Sequence, residues 1–104
     1  MKRINVAKDF TRFPSGRYAS HGDTSGEAFR KQFLEKPLSK GEQVYVELDG
    51  TIGYSSSFLE EAFGGLVRSL RMDSLSILNL LHFQTDDDSL REEIEQYIKD
   101  AKFI

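Results

Sequence analysis

Three hydroxyls in a row, Ser55, Ser56 and Ser57, stand just ahead of a pair of acids, Glu60 and Glu61. A serine in such a place does one of three things: it attacks a substrate once a base takes its proton, it caps a helix, or it accepts a phosphoryl group. The first role needs a base. Besides His21 the chain offers only His82, and the residues around Ser56 are not the Gly-x-Ser-x-Gly elbow of a serine hydrolase. With no cysteine, thiolate catalysis, disulfides and cysteine-ligated metals are excluded. Asp86, Asp87 and Asp88 lack the alternate spacing, the glycine and the distal glutamate of a calcium loop; they read as charge that favours a helix start. No metal and no cofactor is expected, and the chain is not expected to be an enzyme. Arg12, Arg17 and Tyr18 share a loop whose basic groups would suit an acidic partner or a phosphate, so a nucleotide- or phosphate-binding sensor is the alternative reading.

The elements that must position the serines can be read from periodicity. Residues 43–48 alternate with Val44, Val46 and Leu48 on one face, a strand that Asp49 and Gly50 close. Leu59, Ala62, Phe63, Leu66, Val67 and Leu70 then form one apolar stripe of a helix. Ser57 and Glu60 have the spacing of a capping box, which leaves Ser55 and Ser56 for function. Glu60, Glu61, Gly64, Arg68 and Arg71 fall off the stripe and are expected on a charged, solvated face. Gly64 and Gly65 each cost a helix roughly 1 kcal/mol against alanine, so they mark either a close approach or a weak point.

A first strand is expected around Ile4 and Val6, in a run reaching Phe10, followed by a long loop over 11–24. Thr24 and Glu27 predict a capped helix that carries Phe29, Phe33 and Leu34 and is kinked or ended at Pro37. Beyond the central helix come a short helical turn near 74–78, a strand near 80–84, and a last amphipathic helix opened by Ser89 and Glu92. This order predicts an α/β fold, a single domain over 1–104 with helices packed on a small mixed sheet. Residues 1–40 hold nine Lys/Arg against four Asp/Glu, a net of +5, while 41–104 hold five against thirteen, a net of −8. The acidic part argues against nucleic acid. No run is long enough for a membrane span and no signal-peptide core opens the chain, so a cytoplasmic protein is expected; nothing in the sequence sets an oligomeric state.

Strand, turn and serine-led helix also resemble the layout of the STAS domain, the fold of anti-sigma-factor antagonists. Leu48-Asp49-Gly50, Gly53-Tyr54 and the run from Ser56 to Arg68 resemble more specifically the STAS-like family of unknown function, as do the segment from Ile4 to Phe10 and Gly16-Arg17-Tyr18. The resemblance implies a non-enzymatic regulatory module that binds a protein partner, a histidine-kinase-type ATPase being the class it suggests. It places Ser56 on the antagonists' phosphorylated serine, with Ser55 as the fallback, and departs from them at Tyr54, where they have an aspartate. Tyr54, Ser57, Glu60, Glu61, Gly64 and Arg68 are then the expected contact residues. A phosphoryl group on Ser56 would add a charge of about −1.5 to −2 beside the glutamates and drive partner release.

Overall fold

The computed structural model describes residues 1–102. Strands β1 (Lys2–Asn5), β2 (Val44–Glu47) and β3 (Leu81–Gln84) form one sheet in the order β1-β2-β3. Both pairings are parallel, where a mixed sheet was expected. Alternation along the strands decides the faces. Ile4, Val44, Val46 and Leu81 are buried on one side, and Phe63 of the central helix meets Phe83 edge-on there. Arg3, Tyr45 and His82 form a row on the other side, with Asn5, Glu47 and Gln84 behind them, and none of these six is buried.

β1 is shorter than the run to Phe10 suggested. Asn5 ends it by accepting the Lys8 N–H at 3.0 Å, and Val6–Phe10 closes a wide turn whose last bond runs from the Thr11 N–H to the Val6 carbonyl. The turn carries Phe10 under the first helix, where it packs on Phe29 and Phe33 with ring centroids 5.3 and 5.8 Å away.

The first helix covers residues 26–39 in three parts: Gly26–Phe29, a wide π-type turn Arg30–Leu34, and Glu35–Ser39. Its cap is Ser25 rather than Thr24; the buried Ser25 Oγ accepts the Ala28 N–H at 3.1 Å. Pro37 neither ends nor breaks it. The wide turn resets the hydrogen bonding just ahead of it, so Pro37 falls in the first turn of Glu35–Ser39, where a missing N–H costs little.

The central helix, residues 56–70, has the same construction: Ser56–Leu59, a wide turn Glu60–Gly64, and Gly65–Leu70. It ends at Arg71, whose φ of 54° makes it the one non-glycine with left-handed backbone among the described residues. First and central helices touch backbone to backbone at Gly26, where a Cβ would stand 2.4 Å from the Phe58 carbonyl oxygen and 3.0 Å from the Ala62 nitrogen. Phe29, Phe58 and Phe63 fill the space between this crossing and the sheet.

A short helix, Ser74–Leu80, leads into β3, and the last helix, Asp88–Asp100, buries Ile94 and Ile98. Asp87, not Ser89, caps the last helix by accepting the Leu90 N–H at 3.1 Å. No helix among the described residues is long and apolar enough to cross a membrane.

Candidate functional site

The start of the central helix is set by β2. Leu48 extends the sheet by donating its N–H to the Gln84 carbonyl, and its own carbonyl accepts the Tyr54 hydroxyl at 2.6 Å. Tyr54 is thereby drawn in as a half-buried prop on Phe58, ring centroids 5.8 Å apart, rather than presented outward. Burial, with the nearby charge of Asp49, pushes its phenol up to about 12.

Ser55 is the cap. Its Oγ accepts the Phe58 N–H at 3.2 Å, so the helix begins two residues earlier than a Ser57 cap would require. That corrects both assignments: Ser55 has a structural duty, and Ser57 is a half-buried residue of the first turn, its Oγ 3.4 Å from that of Ser55. Ser56 alone is exposed without capping the helix, and its hydroxyl lies against that of Tyr97, which donates to Glu93 at 2.9 Å.

Two large apolar side chains are left out at this end of the molecule. Ile52 is 72% exposed and Phe13 58%, on loops joined by the Ile52 N–H to the Arg12 carbonyl at 2.9 Å. Sequence reasoning passed over both, although a large apolar residue among loop formers is itself a signal of exposed apolar surface.

The middle of the helix differs from expectation. The face assigned to solvent is buried at Glu61 and Gly64. Glu61 accepts Arg30 Nη1 on its carboxylate and on its carbonyl, at 2.7 Å each, and Arg30 is held from its other side by Glu35 at 2.8 Å. Arg30 also explains Gly65: a Cβ there would lie 2.2 Å from the guanidinium. At Gly64 it is the last helix that comes close, with the Tyr97 carbonyl 3.2 Å from where a Cβ would be.

Glu60 bridges Arg17 and Arg68, at 2.5 and 2.7 Å, and so ties the loop over 11–24 to the helix. Burial alone would raise the Glu60 carboxyl, but the hydrogen bonds from Arg68 and Arg17 outweigh it and hold the group below the usual carboxylate range. Arg17 is therefore spent on the fold, while Arg12 and Tyr18 are exposed. Of the expected contact residues the structure gathers Glu60, Glu61 and Arg68 into one network with Arg17 and Arg30. Arg30 was not foreseen, because a lone arginine after Phe29 looks like any solvated charge.

His82 is not brought to the serines. Its ring stacks on Tyr45 at 4.6 Å and its Nε2 meets Gln43 at 2.5 Å, on the face of the sheet away from the helices.

A one-sided parallel sheet whose middle strand hands over to a serine-capped helix defines a small α/β domain of the STAS-like class. The chain belongs to the family of the STAS-like domain of unknown function (DUF4325), whose sequence profile matches residues 25–89. The match takes in the serines and the central helix; Gly16, Arg17 and Tyr18, which also suggested the family, precede it. No match was found among curated proteins or solved structures.

Proposed function

We propose that this chain is a non-enzymatic regulatory module that docks a protein partner on the loops around Ser56, and that a phosphoryl group on Ser56 releases it. The observation that carries the reading is the company Ser56 keeps. Exposed Phe13 and Ile52 stand at the same end of the molecule, in a chain that buries or half-buries Phe10, Phe29, Phe33, Phe58, Phe63 and Phe83. Apolar side chains left in water at the same end as an exposed serine that caps nothing suit a contact surface with a switch in it.

Transfer of the γ-phosphoryl group of ATP to Ser56 Oγ, with loss of the hydroxyl proton and release of ADP, would add about −1.5 to −2 charge there. Glu60 is one helical turn away, and Glu93 is held next to Ser56 through Tyr97. The helix start favours the new charge and the two carboxylates oppose it. The partner class suggested by the family resemblance is a histidine-kinase-type ATPase. Two other readings find less support. A serine hydrolase would need His82 or His21, of which the first is engaged on the far face of the sheet and the second packs on Tyr18 within its own loop, and a phosphate sensor would have only Arg12 exposed, since Arg17 is engaged by Glu60.

Affinity capture from the native host, with intact mass of the bait, tests this using wild type, Ser56→Ala, Ser56→Glu and the Phe13→Ser, Ile52→Ser double variant. An ATPase is expected with wild type and Ser56→Ala and is expected to be lost from the other two. Equal recovery by all four overturns the docking surface. Recovery by Ser56→Glu but not by the loop variant overturns the switch alone.

A further inference from the structure

Two arginines share Glu60, and they share it unequally. Arg68 uses both ends of its fork, Nη1 at 2.7 Å and Nη2 at 3.1 Å. Arg17 uses Nη1 alone, at 2.5 Å, the same nitrogen standing 3.5 Å from Glu61. A guanidinium carries five N–H donors in a planar fork, yet Nε and Nη2 of Arg17 have no partner among the described residues. About a third of the side chain is in solvent. Arg17 thus has one occupied side and one open side.

Glu60 lies one regular turn beyond Ser56. Its N–H donates to the Ser56 carbonyl, and the helix widens only from Glu60 onward. Side chains four apart in such a turn share a face, with Cβ atoms about 6 Å apart. The Tyr97 hydroxyl, which lies against that of Ser56, also feels the charge of Glu60. A guanidinium held by Glu60 is therefore within side-chain reach of Ser56. The main chain that carries it is fixed, since the Gly16 and Arg17 carbonyls accept the N–H groups of Gly26 and Glu27 at 3.0 Å each. Only side-chain torsions must change for the guanidinium to turn toward Ser56.

We propose that Arg17 binds the phosphoryl group on Ser56, turning its open side to it and giving up Glu60, which keeps Arg68. The inference rests on the phospho-switch reading of Ser56 and supplies the residue that holds the modified state. Free phosphate competes poorly with Glu60, because it must pay for its own association. A phosphoryl group tethered one turn away does not, and it sets a charge of about −1.5 to −2 and three acceptor oxygens against a single carboxylate. Arg68 is the weaker candidate, with both terminal nitrogens already committed. The exchange moves the tie between the loop over 11–24 and the central helix from Glu60 to the phosphorylated residue, on the chain that also carries Phe13.

Phosphorus NMR of the full chain, with phosphoserine installed at position 56 during translation, tests the assignment. Arg17 favours the dianion, so the second ionisation of the phosphoryl group is expected to come at lower pH in wild type than in Arg17→Gln, where Glu60 and Glu93 are left to oppose it. The proton affinity should rise about threefold or more in Arg17→Gln, and Arg17→Lys, which keeps the charge without the fork, should fall between. In wild type the Arg17 Nε–H resonance should titrate with the same midpoint as the phosphorus signal. Circular dichroism checks that the variants fold, and the Nε–H resonance needs no variant. A midpoint that Arg17→Gln leaves unchanged overturns the proposal, and so does an Arg17 resonance blind to the phosphoryl group. Because the phosphoserine is installed, neither kinase nor partner enters the result. Capture from the host can fail while Arg17 still binds the phosphoryl group, and the titration can fail while the switch at Ser56 stands.

Discussion

The start and the middle of the central helix are both built from serines, glutamates and glycines, yet they serve opposite ends. At the start, Ser55 spends its hydroxyl on the backbone while Ser56 stays in solvent. In the middle, Glu60 and Glu61 are matched to three arginines drawn from a loop and two helices, and Gly64 and Gly65 make room for the last helix and for Arg30. Polar residues in the middle hold three segments in one arrangement. At the start, Ser56 holds no second segment in place and faces solvent.

The sharpest way to break that contrast is Arg30→Met. It leaves the buried Glu61 carboxylate with only its longer contacts to Arg17 and Arg68, at 3.5 Å. Breaking one side of a buried pair costs about 3–5 kcal/mol. In a domain of this size that lowers Tm by more than about 12 °C, which calorimetry would show. Tyr54 gives the next largest effect. Its folded pKa of about 12 exceeds the free value of 10.0, so the fold favours the neutral phenol. The stabilisation is complete below pH 10 and is lost as pH rises toward 12, at most about 2–3 kcal/mol. Denaturant titrations across that range should fall more steeply for wild type than for Tyr54→Phe.

At the helix start the expected effects are smaller, and they separate Ser55 from Ser56. Ser55→Ala removes the cap and should cost about 1 kcal/mol in chemical denaturation. Ser56→Ala should stay within about 0.5 kcal/mol of wild type, as a surface position does. A reversed order would move the cap from Ser55 to Ser56 and remove the distinction between the two regions.

Periodicity revealed much of the fold and little of the site. Val44, Val46 and Leu48 announced β2, and the stripe from Leu59 to Leu70 announced the central helix, because burial on one face leaves a regular trace. The caps were misplaced by one or two residues, since neighbouring hydroxyls and acids satisfy the same local rule and only the backbone chooses among them. The wide turns left no trace, as each adds a residue to a turn without altering residue type. Glu61 was read as solvated because its partner, Arg30, lies 31 residues earlier on another helix. Such a pairing can be seen only once the two helices cross at Gly26.

The all-parallel sheet also bears on how the chain reaches its fold. Without a hairpin, no two strands can pair until a stretch of roughly forty residues has closed between them, since Lys2 lies opposite Val44 and Val44 opposite Leu81. Loop closure of that length comes before any reward from pairing, so refolding belongs with the slower small domains rather than with helical bundles. β2 is the partner of both edges, and its chain continues into the helix that both flanking helices pack against. The segment from β2 through that helix is therefore the expected nucleus for the two ends of the chain, and substitutions within it should slow refolding more than they speed unfolding.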